Sequence, residues 1–359
     1  MICYTHSIAI PDLKDRSAMT APVAKTPIVL TGVKPTGAPH IGNYIGAIRP
    51  ALKLAAASEH AYIFIADYHA LNAVHDAAAI RRDTYEVAAC YLALGLDPAK
   101  TIFYRQSDVP QIFEITQLLA AVTPKGLMDR GHAYKASVDK NREAGRDVDA
   151  DVNMGLYTYP ILMAADIVSM QATIVPVGQD QVQHIEFARD MAGYFNNTFK
   201  TPVFTLPTVQ LEKGNSGAIL PGLDGRKMSK SYNNHIPLFM DSAARRKLVM
   251  KIVTDSKRPE EPKETEGNTI FTLYSHFAEG DEIAALKQRF EQGGIGYGDA
   301  KQALYEVLER VFAEPSRIYA DLMADTSKID TLLAQGAERA RDSAAKTLAS
   351  ARKACGIGS

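Results

Sequence analysis

Residues 28–43 read IVLTGVKPTGAPHIGN and contain the signals of a strand, a loop and a helix start. The run at 28–31 is apolar and β-branched and ends at Gly32, which predicts the first strand. A loop rich in proline and glycine follows, and apolar residues at helical spacing predict a helix that begins near His40 and passes Leu52. Because a helix N-terminus presents free backbone N–H groups and favours anions, this stretch predicts a phosphate-binding junction.

Strands and helices alternate beyond this junction. Three further apolar runs predict buried parallel strands, at residues 61–67, 101–104 and 173–177. A helical pattern at 81–94 separates the first two runs. Alternating strands and helices are typical of an α/β fold with a doubly wound parallel sheet, which is Rossmann-like. We therefore predict such a domain, with inserted helices at about 109–170 and an exposed charged loop at 139–151 within them.

The chain of 359 residues is long enough for two domains, and its pattern changes near residue 240. Residues 27–240 are predicted to form the Rossmann-like domain. Residues 241–359 are predicted to form a smaller all-helical domain, in which 304–312 show the apolar spacing of an amphipathic helix. Residues 1–26 lack periodicity and the features of a signal peptide, and we expect them to be a disordered N-terminal extension.

Composition excludes several classes of protein. Apolar residues make up 46 % of the chain, as in a globular protein with a large core, and no apolar run approaches the roughly 20 residues that span a bilayer. The formal net charge is −1, so contacts with nucleic acid must be local. Cys3, Cys90 and Cys355 are odd in number and widely separated, which predicts no disulfide framework, no metal site and a reducing, cytoplasmic environment.

The helix start at residues 40–43 reads HIGN. His40 and Asn43 supply polar groups at the predicted phosphate site. Gly42 has no side chain that would block a base or ribose pressed against the helix start. From these residues alone, His40 could instead cap the helix without touching a ligand.

A second phosphate signal lies far downstream, where residues 227–231 read KMSKS. Two lysines in a polar loop place mobile positive charges where they can neutralise a departing phosphate group. The hydroxyls of Ser229 and Ser231 can donate hydrogen bonds to phosphate oxygens. Taken alone, a cluster of lysine and serine is more often a solvated basic loop.

Together, HIGN and KMSKS resemble the HIGH and KMSKS signatures of class I aminoacyl-tRNA synthetases. Between them, YTYPILMAADI at 157–167 and VPVGQDQVQHI at 175–185 resemble elements of the bacterial tryptophanyl-tRNA synthetase family, and the resemblance covers most of residues 27–234. It implies that L-tryptophan is activated with ATP and Mg²⁺ to tryptophanyl-adenylate and transferred to the 3′ end of tRNA(Trp), releasing AMP and pyrophosphate. It implies no permanently bound cofactor and no nucleophilic side chain.

The resemblance also implies a set of site residues. The implied catalytic residues are His40, Asn43, Lys227 and Lys230. The implied ATP contacts are Lys34, Thr36, Gly37, His40, Gly42, Asn43, Lys135, Gly178, Asp180, Lys227, Met228, Ser229, Lys230 and Ser231, with Asp180 on the ribose. The implied tryptophan contacts are His69, Tyr159, Met163, Asp166, Val175, Val177 and Gln181. Lys34 and Tyr68 depart from the pattern, since the best-known bacterial members carry glutamine at both positions.

Asp166 is the implied acceptor for the indole N–H. Indole has one polar atom, a donor, so an apolar pocket with one carboxylate would satisfy it and would reject analogues that lack the donor. From the residues alone, Asp166 could instead cap a helix or form a buried salt bridge, and His69 could hydrogen-bond to backbone at a helix start. Ordinary core packing would equally explain Met163, Val175 and Val177.

Three alternatives remain open from the sequence. A tyrosyl-tRNA synthetase shares the fold and the chemistry. A synthetase-like paralogue could bind tryptophan or RNA as a regulator without catalysis. A small-molecule nucleotidylyltransferase shares the first signature, but it leaves KMSKS and the helical C-terminal region unexplained.

The resemblance further implies partners. It implies a homodimer whose interface is formed by the inserted helices at 109–170. The helical region 241–359 would bind the tRNA anticodon, whose unstacked bases are recognised by stacking and by hydrogen bonds to their edges. No membrane partner and no DNA partner is expected.

Overall fold

The computed structural model describes residues 26–178, 181–211 and 220–358. The strands within these ranges are β1 (Ile28–Val33), β2 (His60–Ile65), β3 (Thr101–Arg105), β4 (Ile174–Val177) and β5 (Thr208–Leu211). They form one parallel sheet in the order β3-β2-β1-β4-β5. The predicted α/β fold with a doubly wound parallel sheet is therefore confirmed. Strand β5 is too short to have been recognised from its sequence, TVQL.

Fourteen α-helical segments surround the sheet in the described ranges. They are α1 (Ile41–Asn43), α2 (Arg49–Ala56), α3 (Asp67–Ala70), α4 (Ala77–Ala93), α5 (Gln111–Ala120), α6 (Lys125–Met128), α7 (His132–Glu143), α8 (Met154–Ser169), α9 (Val182–Thr198), α10 (Ser242–Met250), α11 (Thr269–Ser275), α12 (Gly280–Gln292), α13 (Tyr297–Ala324) and α14 (Ser327–Cys355). A π-helical turn (Tyr44–Ile48) joins α1 to α2. None of the described helices combines the length and apolar content that crossing a membrane requires.

The order of the strands fixes where a ligand can bind. From β1 the chain moves outward to β2 and β3, and it later returns to place β4 on the other side of β1. The connections therefore leave the carboxyl ends of β1 and β4 in opposite directions. In open parallel sheets, the crevice at such a switch point is the usual place for a ligand.

Both faces of the sheet are covered, which explains the nearly continuous apolar strands. On one face, Ile63 and Phe103 pack in a core with side chains of α4 and α10–α13. On the other face, Tyr62, Phe64 and Tyr104 pack in a second core with side chains of α5, α8, α9 and α14.

The prediction of an exposed charged loop at 139–151 is wrong at its N-terminal end, because α7 extends to Glu143. Asp139 and Arg142 lie one helical turn apart with 3.7 Å between Oδ1 and Nη1, and such a pair supports an exposed helix despite its lack of apolar periodicity. The segment after Glu143 is not helical until α8 begins.

The C-terminal helix α14 packs on the sheet. The Arg339 and Arg341 guanidinium groups donate to the backbone oxygens of Pro98 (3.0 Å) and Asp108 (2.9 Å) on either side of β3. At Gly336, the helix comes so close to β3 that a Cβ would lie 1.8 Å from the backbone oxygen of Phe103.

The division of the chain into two domains near residue 240 stays a prediction, and α14 lies with the α/β part. The predicted N-terminal extension falls, apart from Thr26, outside the described residues.

The close approach of α14 to β3 makes Gly336 a sensitive position. We expect Gly336→Ala to lower the free energy of unfolding by about 3 kcal/mol, because backbone rather than a flexible side chain obstructs the new methyl group. Gly193→Ala is the matched control: Gly193 lies in α9 with nothing within 4 Å of a new Cβ, and it should stabilise by about 0.5–1 kcal/mol. Urea denaturation of both variants checks this, and equal stability of the two would contradict the packing described.

Candidate active site

The first part of the site is the loop that leaves β1 and enters α1. Lys34 and Thr36 are exposed in this loop, directly after the carboxyl end of β1. Gly37 has φ +81°, a backbone conformation that glycine adopts without strain. Gly178 is exposed at the carboxyl end of β4, on the other side of the switch point.

His40 and Asn43 form a reciprocal cap on α1. The Nδ1 of His40 accepts from the backbone N–H of Gly42 (3.1 Å), and the Oδ1 of Asn43 accepts from the backbone N–H of His40 (3.0 Å). Because Nδ1 is the acceptor, the neutral ring carries its proton on Nε2. His40 therefore caps the helix, as the simpler interpretation held, and still has a ring N–H to offer to a ligand.

Gly42 also has a packing reason to lack a side chain, beside the expected contact with ATP. A Cβ at this position would lie 2.9 Å from the Cε1 and Nδ1 atoms of His40. The missing side chain therefore makes room for the capping histidine ring.

The imidazole of His40 is neutral at physiological pH. Burial, with smaller contributions from His235 and Lys230, lowers the pKa of His40 from its usual 6.5 to about 4. Burial and the charge of Lys230 also lower the pKa of His235, whose ring centroid lies 5.7 Å from that of His40. A neutral His40 can donate from Nε2 without adding a charge to the site.

The depressed pKa of His40 predicts a loss of stability on acidification. Between pH 6.5 and about 4, the unfolded chain binds a proton at His40 that the folded chain does not, so stability falls as the pH falls through this window. His40→Asn keeps a side-chain acceptor for the cap and cannot titrate there. We expect its thermal unfolding midpoint to fall less than that of the wild type between about pH 7 and pH 5. The control is the exposed His75→Asn, and equal declines in all three proteins would contradict the prediction.

The two signature segments are held together by the backbone. The N–H of Ile41 donates to the oxygen of Ile236 (3.0 Å), and the N–H of Leu238 donates to the oxygen of Pro39 (3.2 Å). These two bonds fasten the chain that follows KMSKS onto the start of α1. Residues separated by nearly two hundred positions in sequence therefore form one surface.

Lys230 reaches across this surface. Its Nζ donates to the backbone oxygen of Thr36 (3.0 Å) and would lie 3.3 Å from a Cβ placed on Gly37. Partial burial lowers the pKa of Lys230, while the carboxylates of Glu86 and Asp83 on α4 oppose the shift. The ammonium group thus lies on the loop where the sequence predicts a phosphate.

The rest of the KMSKS loop is organised by Asn234, which is 2 % exposed. Its Oδ1 accepts from the backbone N–H of Ser229 (2.8 Å), and its Nδ2 donates to Asp224 Oδ1 (2.7 Å) and to the backbone oxygen of Lys227 (3.0 Å). A Cβ on Gly222 would lie 2.4 Å from this side chain, so only glycine fits there.

The side chains of KMSKS differ in exposure. Lys227 and Ser231 are exposed, and Ser229 Oγ accepts from the backbone N–H of Ser231 (3.2 Å). Met228 is buried in the first core, and its sulfur would lie 3.6 Å from a Cβ placed on Gly42, so its side chain packs against the helix start.

Asp166 lies in the interior of α8 and is completely buried, so it does not cap a helix. Its Oδ2 is 3.0 Å from the Nε2 of His69, and the Nε2 of Gln106 donates to both of its oxygens at 2.9 Å. Burial raises the pKa of Asp166, and the bonds from His69 and Gln106 oppose that effect. His69 thus contacts a carboxylate rather than only backbone at the helix start.

The other residues expected at the tryptophan site lie on α8 and β4 and at the start of α9. Tyr159 packs edge-on against His69 with ring centroids 6.4 Å apart, and its hydroxyl lies 3.2 Å from the Nε2 of His184. Met163 and Val177 are half-buried, and both contact the second core. Val175 is buried within that core, in agreement with the alternative that it serves ordinary core packing. Gln181 is half-buried at the N-terminus of α9.

One expected ATP contact is not brought to this surface. Lys135 is exposed on α7, one turn after His132, and no described contact connects it with either signature segment. Asp180 lies outside the described residues.

Sequence reasoning missed two residues of this site, Gln106 and Asn234. The position of Gln106 directly after β3 was the available signal, since carboxyl ends of parallel strands carry ligand-binding residues.

Comparison with known proteins agrees with this geometry. The family model of class I tRNA synthetases (W and Y) matches residues 24–313. The chain is 50 % identical to a tryptophan–tRNA ligase of Bordetella parapertussis, covering 92 % of this chain and 73 % of that protein. It is 47 % identical to a tryptophan–tRNA ligase of Neisseria meningitidis, covering 92 % and 97 %.

Among solved structures, the chain is similar to tryptophanyl-tRNA synthetase from Campylobacter jejuni complexed with ADP and tryptophan. The TM-score is 0.82 and the identity is 39 %, over 92 % of this chain and 99 % of that one. The match of a family model to most of the chain and the identity to full-length relatives remove the nucleotidylyltransferase alternative. The chain therefore belongs to the tryptophanyl-tRNA synthetases, within the tryptophan and tyrosine family of class I tRNA synthetases.

Proposed function

We propose that this chain is an ATP-dependent tryptophan–tRNA ligase. In the first step, a carboxylate oxygen of L-tryptophan bonds to the α-phosphorus of ATP, and the bond to the bridging oxygen breaks to release pyrophosphate. In the second step, a ribose hydroxyl at the 3′ end of tRNA(Trp) attacks the carbonyl carbon of tryptophanyl-adenylate. AMP leaves, and the hydroxyl loses its proton.

One observation carries the proposal. The backbone bonds from Ile41 and Leu238 and the contact of Lys230 with Thr36 unite both signature segments at the switch point of the sheet. Helix α8 supplies a buried carboxylate, Asp166, whose partners His69 and Gln106 follow the carboxyl ends of β2 and β3 on the same edge. Phosphate-binding groups and an acceptor for a single N–H donor would therefore lie at the same edge of the sheet, as activation of tryptophan requires.

Positioning and charge account for the first step. The lysines Lys227 and Lys230 would neutralise the charge that develops on pyrophosphate, and Ser229 and Ser231 would donate to its oxygens. The Nε2–H of His40 and the side-chain amide of Asn43 would bind phosphate oxygens at the start of α1. No side chain needs to act as a nucleophile, because tryptophan itself supplies the attacking oxygen.

The pocket around Asp166 would select the amino acid. Asp166 would accept the indole N–H, and Met163 and Val177 would pack against the rings. Gln181 would orient the ammonium or carboxylate group, Tyr159 would line the edge of the pocket, and His69 would hold Asp166 in place. Such a pocket disfavours an amino acid whose side chain offers no matching donor, because the buried carboxylate is then left unpaired.

Mg²⁺ would enter the site with ATP. Among the residues that the structure describes, no group of three or more His, Cys, Asp or Glu side chains is arranged to hold a metal ion. A cation carried on the phosphates needs no such cage, since Mg²⁺ commonly binds through substrate phosphates and waters.

We also propose a cytoplasmic homodimer built on residues 109–170. Three large apolar side chains support this surface, with exposed fractions of 42 % for Phe113, 68 % for Met154 and 47 % for Leu71 on the neighbouring loop. Light scattering should give twice the mass of one chain, and a monomer at micromolar concentration would contradict the dimer.

Residues 241–359 would bind the tRNA anticodon, and α14 would anchor this region to the sheet.

Aminoacylation tests the whole reaction. Purified protein should attach tryptophan to tRNA(Trp) when ATP and Mg²⁺ are present, and tRNA(Tyr) with tyrosine serves as the matched control. Charging of tRNA(Tyr) would favour the tyrosyl alternative. Folded protein that binds tryptophan but neither forms the adenylate nor charges tRNA would be the regulatory paralogue.

A further inference from the structure

We propose that Gln106 is a positioning residue for amino-acid selection: its amide holds the carboxylate of Asp166 so that Oδ1 points its remaining lone pair at the substrate side chain. The inference rests on the proposed function and concerns the selectivity of the same pocket. Gln106 itself is not expected to touch the reacting atoms.

The first support is the distribution of hydrogen bonds on Asp166. In the described structure, Oδ2 is within hydrogen-bond distance of both Gln106 Nε2 and His69 Nε2, whereas Oδ1 accepts from Gln106 alone. A carboxylate oxygen has two lone pairs. Oδ1 therefore has capacity for one more donor, which matches the single N–H of indole.

The second support is that burying Gln106 lowers the stability of the folded state. Gln106 is fully buried in the short turn after β3, and its Oε1 has no hydrogen-bond partner among the described residues. A buried acceptor without a partner destabilises the folded state and calls for an explanation. An apolar side chain of similar size would avoid the cost, so the amide is explained by what its other end does for Asp166.

The third support is that charge fixes the orientation of the amide. Rotating the amide by half a turn would point Oε1, instead of Nε2, at the carboxylate of Asp166. Two acceptors would then repel each other in a site with low dielectric constant. The carboxylate of Asp166 and the amide of Gln106 therefore hold each other in one arrangement.

Removing the amide should relax selection at the indole nitrogen. His69 would remain as the one described donor to Asp166, bonded to Oδ2. The carboxylate would then be free to rotate or to bind a proton, because burial already disfavours its charge. In either case, an analogue that cannot donate a hydrogen bond would no longer be penalised to the same extent.

The test compares tryptophan with 3-(benzothiophen-3-yl)-L-alanine, in which sulfur replaces the indole N–H. ATP–pyrophosphate exchange is measured for the wild type, for Gln106→Met and for the exposed control Gln288→Met. We expect the wild type and the control to prefer tryptophan by about 100-fold or more in kcat/KM. In Gln106→Met, we expect this ratio to fall by about 10-fold or more, through a raised KM for tryptophan with an unchanged KM for ATP.

If Gln106→Met kept the wild-type preference for tryptophan in kcat/KM, the inference would be overturned and the proposed function would stand. A parallel rise in both KM values would also overturn it, since that result indicates a merely structural role. If Gln106→Met does not fold, Gln106→Asn replaces it, because its shorter amide cannot reach both oxygens of Asp166. The same fall in the kcat/KM ratio is expected of this variant, and an unchanged ratio would overturn the inference. Absence of exchange with tryptophan in the wild type would overturn the proposed function and this inference with it.

Discussion

Lys230→Ala is expected to lower kcat for ATP–pyrophosphate exchange by about 100- to 1,000-fold and to leave the thermal unfolding midpoint unchanged. The Nζ of Lys230 lies on the loop between β1 and α1, where it donates to the backbone oxygen of Thr36. A bound triphosphate would occupy the same region and offer the ammonium group its departing pyrophosphate. Because Lys230 is exposed, its loss removes little packing.

The control for this prediction is Lys287→Ala, which removes an exposed ammonium group from the surface of α12. It should exchange pyrophosphate at the wild-type rate. If Lys230→Ala retained the wild-type kcat, Lys230 would have no part in charge stabilisation, and the KMSKS loop would be the solvated loop that its composition alone suggests.

Asp166→Asn is expected to raise KM for tryptophan by about 100-fold or more and to leave KM for ATP unchanged. The substitution preserves shape but replaces one oxygen by an amide nitrogen that faces the donors on Gln106 and His69. Donors would then oppose each other in a buried site, and the anionic acceptor for the indole N–H would be lost. Exchange measured across a range of tryptophan and ATP concentrations separates the two KM values.

Two comparisons control this prediction. Asp281→Asn makes the same chemical change at an exposed position in the first turn of α12 and should behave as the wild type. Thermal unfolding of Asp166→Asn distinguishes a binding defect from a folding defect. An unchanged KM for tryptophan in a folded variant would remove Asp166 from the pocket and leave it as a structural partner of His69.

The parts of the fold that could be predicted are those with strong local signals. The runs around Val29, Ile63 and Phe103 are apolar and β-branched and are bounded by turn residues, and each forms a parallel strand. The missed strand β5 has four residues and no such run. The end of α7 was missed because an ion pair, not an apolar stripe, supports it.

For the site, the sequence identified strings of residues but not how they support one another. HIGN and KMSKS were recognisable as motifs, whereas the backbone bond between Ile41 and Ile236 depends on how distant segments meet. The same holds for Gln106 and Asn234, whose amides act only through three-dimensional neighbours. The packing role of Gly42 was missed for this reason, since it depends on the ring of His40, which folds back over Gly42.

The most direct test is ATP–pyrophosphate exchange by the wild-type protein with each amino acid in turn. We predict exchange with tryptophan and with no other amino acid. Because the chain contains no tryptophan, fluorescence of the indole ring reports binding of the ligand in the same samples. Exchange with tyrosine instead, or no exchange from folded protein that binds tryptophan, would contradict the account.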